Sequence, residues 1–177
     1  LVTGCKRGIG KAMALALAEA GADIIGVSAS LEQDSEISKL VTKLGRKFHT
    51  YQCDFSQRDD LYKFINKVKE NHPVIDILVN NAGTSWGAPF GQFPENGWDK
   101  VMELNVKSPF FLIQALAPLL KKNAAANNTS SIINIGSIAG ICGNALDTFS
   151  YATSKTAIHQ LTRLLSTELA KDHIRVN

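Results

Sequence analysis

The chain has 177 residues, 45% of them hydrophobic and 20% charged, with a net charge of +3, which is ordinary for a globular protein and predicts one domain over residues 1–177. The lysines are scattered and no apolar run reaches membrane-spanning length, so the sequence gives no indication of a nucleic-acid or membrane partner. The three cysteines lie far apart without metal-ligand spacing, so we expect no disulfide framework, no metal site and a reducing, cytoplasmic location.

A glycine-rich turn joins the first predicted strand to the first predicted helix. Residues 1–3 read as the end of a buried strand, and residues 11–20 as an alanine-rich helix. Between them lies the spacing Gly4-x-x-x-Gly8-x-Gly10. Glycines let the main chain approach a pyrophosphate, and the N-terminus of the next helix offers it unpaired N–H groups. The segment predicts a dinucleotide site, with a plain glycine turn as the alternative.

The second predicted strand, residues 23–28, bears on the choice of cofactor. NAD(H) enzymes usually bind the ribose 2′-hydroxyl through a carboxylate about 20 residues past the glycines. Ser28 and Ser30 occupy that region here, and Arg7 or the lysine before it could reach a 2′-phosphate. We therefore expect NADP(H) in preference to NAD(H), although the two acids within residues 32–34 keep NAD(H) open.

A carboxylate follows the third predicted strand. Apolar residues at helical spacing predict a second helix over residues 37–44, and residues 48–53 form the next strand. Asp54 and Phe55 come directly after it. A carboxylate at this end of a strand can bind the adenine amino group, or it can cap a turn before the helix predicted around residues 61–68.

Small and amide residues follow the fourth predicted strand, residues 75–79. Asn81, Ala82 and Gly83 lie at its carboxyl end, where open α/β sheets bind ligands. Residues 84–98 are then predicted as a loop rich in glycine, proline and aromatic residues. This loop either forms part of a substrate mouth or packs locally.

Two polar residues are prominent in the following elements. A long apolar helix is predicted over residues 99–122, interrupted near Pro109, and Asn105 lies within it. A buried amide must find partners, and a kink would free a carbonyl to bind water. Residues 132–135 form the fifth predicted strand, and Ser137 follows its end. Taken singly, Asn105 and Ser137 are equally explained as kink and turn residues.

A tyrosine and a lysine begin the last predicted helix. Tyr151 and Lys155 are four residues apart and so share one helix face. A lysine ammonium beside a phenol favours the phenolate, which makes a tyrosine a usable acid and base near neutral pH. Residues 157–169 give this helix a broad apolar face, for which we expect a subunit interface in a homodimer or homotetramer. His159 is interpreted as a surface or packing residue, and a sixth strand begins at Ile174.

Strands and helices alternate along the whole chain. This alternation predicts an α/β fold with a doubly wound parallel sheet, the Rossmann fold. The chain opens inside a strand without a methionine and stops inside the sixth strand. We therefore expect the fold to be incomplete at the N-terminus and to lack a C-terminal strand and lid.

These motifs together resemble the short-chain dehydrogenases/reductases. Thr3-Gly4-x-x-x-Gly8-x-Gly10 is similar to the cofactor motif of that family, and residues 80–83 to its motif after the fourth strand. Its catalytic tetrad is matched in order and spacing by Asn105, Ser137, Tyr151 and Lys155.

Three segments point to subgroups of that family. Residues 3–10 and 135–137 resemble 3-oxoacyl-[acyl-carrier-protein] reductases. Residues 80–88 look like the reductase branch linked to rhamnolipid precursors, whereas residues 21–27 are also similar to sugar-acid dehydrogenases acting on keto-deoxygluconate.

The resemblance implies reversible hydride transfer between nicotinamide C4 and the carbonyl carbon of a small molecule, in the first place a 3-oxoacyl thioester. Tyr151 would exchange a proton with the carbonyl oxygen, which Ser137 would also hydrogen-bond. Lys155 would hold the nicotinamide ribose, and the main chain of Asn105 would hold a water. Cofactor contacts are expected from Tyr151 and Lys155 and from Thr3, Gly4, Arg7, Gly8, Ile9, Gly10, Ser28, Ser30, Asp54, Phe55, Asn81, Ala82 and Gly83.

Two alternatives remain at this point. An enzyme with the same chemistry could act on a sugar acid or polyol, a choice that would depend on residues 84–98, residues 138–149 and the lid. A protein of another class, a dinucleotide-binding regulator without catalysis, would be expected to have lost part of the tetrad, all of which is present here.

Overall fold

The computed structural model describes residues 1–142 and 146–177, which form one parallel sheet with helices on both sides. The strands are β1 (Val2–Thr3), β2 (Ile24–Ser28), β3 (Phe48–Gln52), β4 (Ile77–Asn80), β5 (Ser130–Asn134) and β6 (Ile174–Val176). The α-helices are α1 (Gly8–Glu19), α2 (Glu36–Lys43), α3 (Arg58–Asn71), α4 (Glu95–Met102), α5 (Ser108–Lys121) and α6 (Phe149–Ala170).

The six strands are parallel and lie in the order β3-β2-β1-β4-β5-β6. Right-handed crossovers in this order place α1 and α2 on one face and α3, α5 and α6 on the other. The predicted doubly wound Rossmann fold is confirmed. The strand order reverses between β1 and β4, and such a reversal opens a crevice at the carboxyl ends of the strands.

Each face of the sheet has its own apolar core. The cluster beneath α1 and α2 contains Val2, Ile24, Ile37, Val41 and Val79. The cluster on the opposite face is larger and includes Val27, Phe64, Leu78, Leu116 and Ile132. The strands are therefore covered on both sides, which leaves the ends of the sheet and the loops beyond them to form a site.

Several predicted boundaries are wrong by a few residues. Helix α1 begins at Gly8 rather than at residue 11, and α4 begins at Glu95, inside the segment predicted as a loop. Trp86 packs against Gly97 of that helix, where an added Cβ would lie 2.7 Å from Trp86 Cδ2, so part of the aromatic segment packs locally.

The fifth strand begins two residues earlier than predicted, at Ser130. A hydropathy pattern does not detect this start, because its two serines are polar residues. They can be buried here because their hydroxyl groups are hydrogen-bonded. Ser130 Oγ donates to Leu120 O at 2.7 Å, and Arg175 Nη2 donates to Ser131 Oγ at 2.8 Å.

The predicted interruption near Pro109 lies one turn earlier, as a π-helical segment at Glu103–Lys107 that contains Asn105. The proline is still its physical cause. Pro109 has no N–H, so the carbonyl of Asn105, four residues before it, cannot receive the ordinary helical hydrogen bond. The Ser108 N–H instead bonds to Glu103 O, five residues back.

The apolar face predicted on α6 is partly used inside the chain. Ile158 and Leu169 are buried, whereas Leu164 is 59% exposed. Of the segment 138–149, which the sequence marks as a determinant of substrate choice, residues 143–145 lie outside the described residues.

Candidate active site

The cleft at the carboxyl edge of the sheet contains two adjoining cavities. One, of about 660 Å³, lies over the glycine-rich turn and the ends of β2 and β3. The other, of about 940 Å³, lies over the ends of β4 and β5 and the start of α6. Ile9, Asn81 and Gly83 line both cavities, so together they form one elongated cleft of the size that small-molecule sites occupy.

The glycine-rich turn has the geometry of an anion cradle. Gly4 and Gly8 have positive φ angles of +67° and +58°, which favour glycine. Space above Gly8 is open, with nothing within 4 Å of an added Cβ, and Arg7 makes no side-chain cap at the start of α1. The first N–H groups of the helix are thus free of a side-chain cap and accessible to a pyrophosphate.

Thr3 and Asn81 brace the turn from below. Thr3 Oγ1 accepts the N–H groups of Asn81 at 3.0 Å and Ala82 at 2.9 Å. Asn81 Nδ2 donates to the carbonyls of Thr3 at 2.9 Å and Gly4 at 3.2 Å. These polar groups bond to one another, so they fix the relative position of the two loops that border the cleft.

The end of β2 is cationic. Lys6 Nζ donates to Ser30 O at 2.6 Å and Ser30 Oγ at 3.2 Å, and the Lys6 N–H donates to Ser28 Oγ at 3.1 Å. Arg7 and Lys6 both line this cavity, together with Asp54. Neither acid of residues 32–34 lines it, and Asp34 lies 3.8 Å from Lys39.

Asp54 and Phe55 are positioned by local contacts. Asp54 Oδ1 accepts from the Ser56 N–H at 2.9 Å and from Ser56 Oγ at 2.7 Å, which is the turn-capping role considered from the sequence. The same residue lines the cavity. Phe55 also lines the cavity, and its buried ring packs edge-on against Phe64.

Tyr151 and Lys155 lie together at the floor of the larger cavity. Lys155 Nζ is 5.6 Å from the centroid of the Tyr151 ring and donates to Ile135 O at 2.6 Å. Lys155 is only 7% exposed, and this burial lowers the pKa of its ammonium. An ammonium carries several donors, so the bond to Ile135 leaves others for a second partner in the cavity.

Ser137 lines the same cavity at the end of β5. Its Oγ accepts the N–H of Ala139 at 3.2 Å and so caps a short 3₁₀ turn at Ile138–Gly140. That bond uses a lone pair of the hydroxyl group. The O–H proton is still available to a ligand oxygen.

Asn105 lies behind the cavity and ties its two sides together. Its Oδ1 accepts the N–H of Thr84 at 2.9 Å, and its Nδ2 donates to Thr84 O at 2.9 Å and to Ser154 Oγ at 3.0 Å. Ser154 Oγ in turn donates to Tyr151 O at 2.7 Å. The side-chain amide thus connects the loop after β4 to the first turns of α6, and Asn105 itself lies within the π-helical segment.

Sequence reasoning missed Thr84 and Ser154. Both are bonded to Asn105, which is distant in the chain, and no motif spacing marks them. Among the described residues, no group of three His, Cys, Asp or Glu side chains could hold a metal ion. A hollow of about 1030 Å³ beside α3 and α4 is larger than either cavity of the cleft, but Tyr151, Lys155 and Ser137 do not line it.

The described helices include none long and apolar enough to cross a membrane. A family model described as short chain dehydrogenase matches residues 1–177. The chain belongs to the short-chain dehydrogenase family. It is therefore an oxidoreductase of that family, in agreement with the fold and with the arrangement of Tyr151 and Lys155.

Other short-chain dehydrogenases resemble it over its full length. It is 50% identical over 178 residues to the 2-dehydro-3-deoxy-D-gluconate 5-dehydrogenase of Pseudoalteromonas atlantica, and covers 68% of that protein. It is 42% identical over 177 residues to the rhamnolipids biosynthesis 3-oxoacyl-[acyl-carrier-protein] reductase of Pseudomonas aeruginosa, and covers 69% of that protein. Both alignments include 100% of the present chain.

A solved structure has nearly the same backbone. The Pseudomonas aeruginosa RhlG/NADP active-site complex superposes with a TM-score of 0.93 and 42% identity, covering 99% of this chain and 68% of that one.

Proposed function

We propose that this enzyme interconverts a carbonyl and a secondary alcohol by hydride transfer with NADP(H), and that its substrate is a 3-oxoacyl thioester. The observation that carries the reaction type is the placement of Tyr151, Lys155 and Ser137 in one cavity, with Asn105 directly behind it. A bound nicotinamide would supply or accept the hydride. The residues of the chain bind and orient the substrate, and they move the proton.

Tyr151 is the proposed acid for carbonyl reduction and the base for alcohol oxidation. The buried ammonium of Lys155 lies 5.6 Å from the centroid of its ring, so a positive charge stands beside the group that exchanges the proton. Ser137 donates its O–H to the same substrate oxygen and stabilises the negative charge that develops there. The Asn105 carbonyl, which Pro109 excludes from the ordinary helical bond, binds a water that returns protons to Lys155.

The choice of NADP(H) rests on the charges at the end of β2. Arg7 and Lys6 line the cavity there, and Ser28 and Ser30 take the place of an acid. A 2′-phosphate would find two cations, whereas a 2′-hydroxyl would find no carboxylate among Ser28, Ala29 and Ser30. The NADP complex of the similar RhlG structure agrees with this choice.

The choice of a 3-oxoacyl thioester rests on the walls of the larger cavity. Ile138 is 72% exposed and Leu146 70% exposed, and both line this cavity near Tyr151. Among the described lining residues Lys155 is the only cation, and we assign its remaining donors to the nicotinamide ribose. Such walls suit an acyl chain better than a carboxylate with several hydroxyl groups.

The rival substrate is a sugar acid. It is favoured by the 50% identity to the Pseudoalteromonas atlantica enzyme, which exceeds the 42% identity to the 3-oxoacyl reductase. The cofactor-binding part of the chain is common to both interpretations. The two therefore differ only in the substrate.

Turnover with both substrates decides between them, using the protein that its complete gene encodes. We expect an acetoacetyl thioester to drive NADPH oxidation, followed by absorbance, with much slower oxidation of NADH. Turnover of 2-dehydro-3-deoxy-D-gluconate with no thioester activity would overturn the substrate proposal and leave the reaction type standing. Tight NADPH binding without turnover of either would instead favour a dinucleotide-binding regulator.

A homodimer or homotetramer remains a proposal of the same kind. Leu164 leaves an apolar side chain exposed on α6, and Trp98 does so on α4. Sedimentation velocity measures the state directly, and a monomer at micromolar concentration would contradict the proposal.

A further inference from the structure

Helix α6 contacts the end of β5 along one face. Lys155, His159 and Thr162 are spaced four and three residues apart, so their side chains point the same way. Lys155 Nζ donates to Ile135 O at 2.6 Å, and Thr162 Oγ1 accepts from Asn134 Nδ2 at 2.9 Å. These contacts bind the helix to the strand that leads directly into Ser137.

His159 makes the contact nearest to Ser137. Its Nε2 accepts the main-chain N–H of Ser137 at 3.3 Å. The imidazole packs against Gly136, where an added Cβ would overlap Nε2 and would come within 2.8 Å of Cδ2. A hydrogen bond and a close packing contact therefore bring one ring against the two residues that end β5.

The contact selects one tautomer of the neutral ring. A nitrogen that accepts a hydrogen bond must present a lone pair, so Nε2 carries no hydrogen and the neutral ring has its proton on Nδ1. A protonated ring, with hydrogens on both nitrogens, would repel the Ser137 N–H instead of accepting it.

We propose that His159 is a positioning residue for Ser137, and that its neutral imidazole holds the Ser137 main chain so that the hydroxyl points at the substrate oxygen. The proposal rests on the proposed function, because it assigns Ser137 the role of hydrogen-bond donor to that oxygen. His159 does not line the larger cavity, whereas Ser137 does. The ring therefore acts through the serine rather than on the substrate.

The alignment of the hydroxyl depends on the backbone at Ser137. Its Oγ already accepts the Ala139 N–H, so the direction left for the O–H depends on where the backbone holds the serine side chain. Without the imidazole, the Ser137 N–H loses its acceptor, and only the bond from the Gly140 N–H to Ser137 O at 3.0 Å still holds the backbone of the serine, which can then shift. Small misplacements of a catalytic group reduce rates strongly while binding changes little.

The first test compares two substitutions of the histidine with a control. His159→Leu keeps an apolar side chain but has no acceptor, whereas His159→Gln can place an amide oxygen near the position of Nε2. Gln160→Leu alters an exposed neighbour on the same helix. We expect kcat for carbonyl reduction to fall about tenfold in His159→Leu, which corresponds to the free energy of about one hydrogen bond. In His159→Gln, kcat should return to within about threefold of the value of the unmodified enzyme.

The expected pattern separates positioning from general stability. The NADPH dissociation constant, measured by fluorescence titration, should be unchanged in both variants, and Gln160→Leu should match the unmodified enzyme in every assay. Equal losses in the leucine and glutamine variants, or no loss in His159→Leu, would overturn the proposal.

A second test uses the packing contact. Gly136→Ala should lower kcat because its methyl group displaces the imidazole, and His159→Ala should provide room for that methyl group. We expect the double variant Gly136→Ala/His159→Ala to be no slower than His159→Ala alone. Additive losses would show that Gly136 acts on the rate independently of the ring.

A third measurement needs neither substrate nor substitution. The ¹⁵N chemical shifts of the His159 ring, recorded on labelled protein near pH 8, report which nitrogen carries the hydrogen. We expect the shift of Nε2 to be that of a nitrogen with a free lone pair. A hydrogen on Nε2 would overturn the inference even in an active enzyme, whereas an inactive enzyme with the expected shift would count against the proposed function alone.

Discussion

Replacing Asn105 by leucine removes the amide that joins the loop after β4 to α6. Leucine keeps the size and branching of the side chain but makes none of the three hydrogen bonds to Thr84 and Ser154. Asn105 is 3% exposed, so water does not replace the lost partners. At about 1 kcal/mol net for each bond, the free energy of unfolding should fall by about 3 kcal/mol. This is a large share of a typical total of about 5–15 kcal/mol.

Urea unfolding followed by circular dichroism measures this change. Asn66→Leu, at an exposed position of α3, is the matched control and should shift stability by less than about 0.5 kcal/mol. Ser154→Ala removes the bonds from Asn105 and to Tyr151 O, and should cost about 1–2 kcal/mol. Since Asn105 and Ser154 share one bond, the double variant should lose about 1 kcal/mol less than the sum of the single losses.

Two results would refute this reasoning. If Asn105→Leu destabilised the protein no more than Asn66→Leu does, the buried amide would not hold the two segments together. If the losses of Asn105→Leu and Ser154→Ala were strictly additive, the bond between their side chains would contribute nothing.

Three further predictions concern the glycine-rich turn, the cofactor and pH. In the same urea assay, Gly10→Ala should destabilise the fold strongly, because its methyl group would overlap Asn81 Nδ2 and Gly4 O. Gly8→Ala places its methyl group in open space, so it should lower the free energy of unfolding only by the strain of φ +58°, about 1–2 kcal/mol. Equal losses in the two variants would contradict this account of the turn. Arg7→Ala should weaken NADPH binding about tenfold in a fluorescence titration and change NADH binding less than about twofold; equal weakening for both cofactors would remove the arginine from the 2′-phosphate site. Burial, with the nearby charge of His49, lowers the pKa of His72 below 6.5. His72 therefore binds a proton more readily in the unfolded chain than in the folded one. The stability of the protein should decline as the pH falls below 6.5. His72→Gln should flatten that decline in thermal unfolding measured from pH 7.5 to 5, and an unchanged slope would count against the assignment.

The sheet and the cleft could be predicted from the sequence because they depend on local signals. Alternating strand and helix patterns allow few topologies, and right-handed crossovers then bring the glycine-rich turn, the end of β4 and the start of α6 to one edge. The spacing of Tyr151 and Lys155 is set by one helical turn. Each of these inferences needs only a short stretch of chain.

The missed features depend on contacts between distant segments. Ser130 and Ser131 begin β5 because Leu120 and Arg175 satisfy their hydroxyl groups, and no local pattern includes those partners. Similarly, the role of His159 depends on how closely α6 approaches Gly136. Such an approach is a property of the packed structure rather than of residue spacing.

The interruption of the long helix shows a third case. Pro109 correctly predicts an interruption of the helix. The interruption lies four positions earlier, at Asn105, because the carbonyl of that residue loses its hydrogen-bond donor. Applying that displacement to the sequence would have located the π-helical segment at Asn105.

The central claim is that Tyr151 transfers the proton that accompanies hydride transfer, and Tyr151→Phe tests it most directly. The variant keeps the ring beside Lys155 and removes only the hydroxyl group. With whichever carbonyl substrate the unmodified enzyme reduces, the account predicts that kcat falls about 10²–10⁴-fold in the NADPH oxidation assay, while the NADPH dissociation constant stays within about threefold. A Tyr151→Phe enzyme that kept most of its turnover would contradict the account.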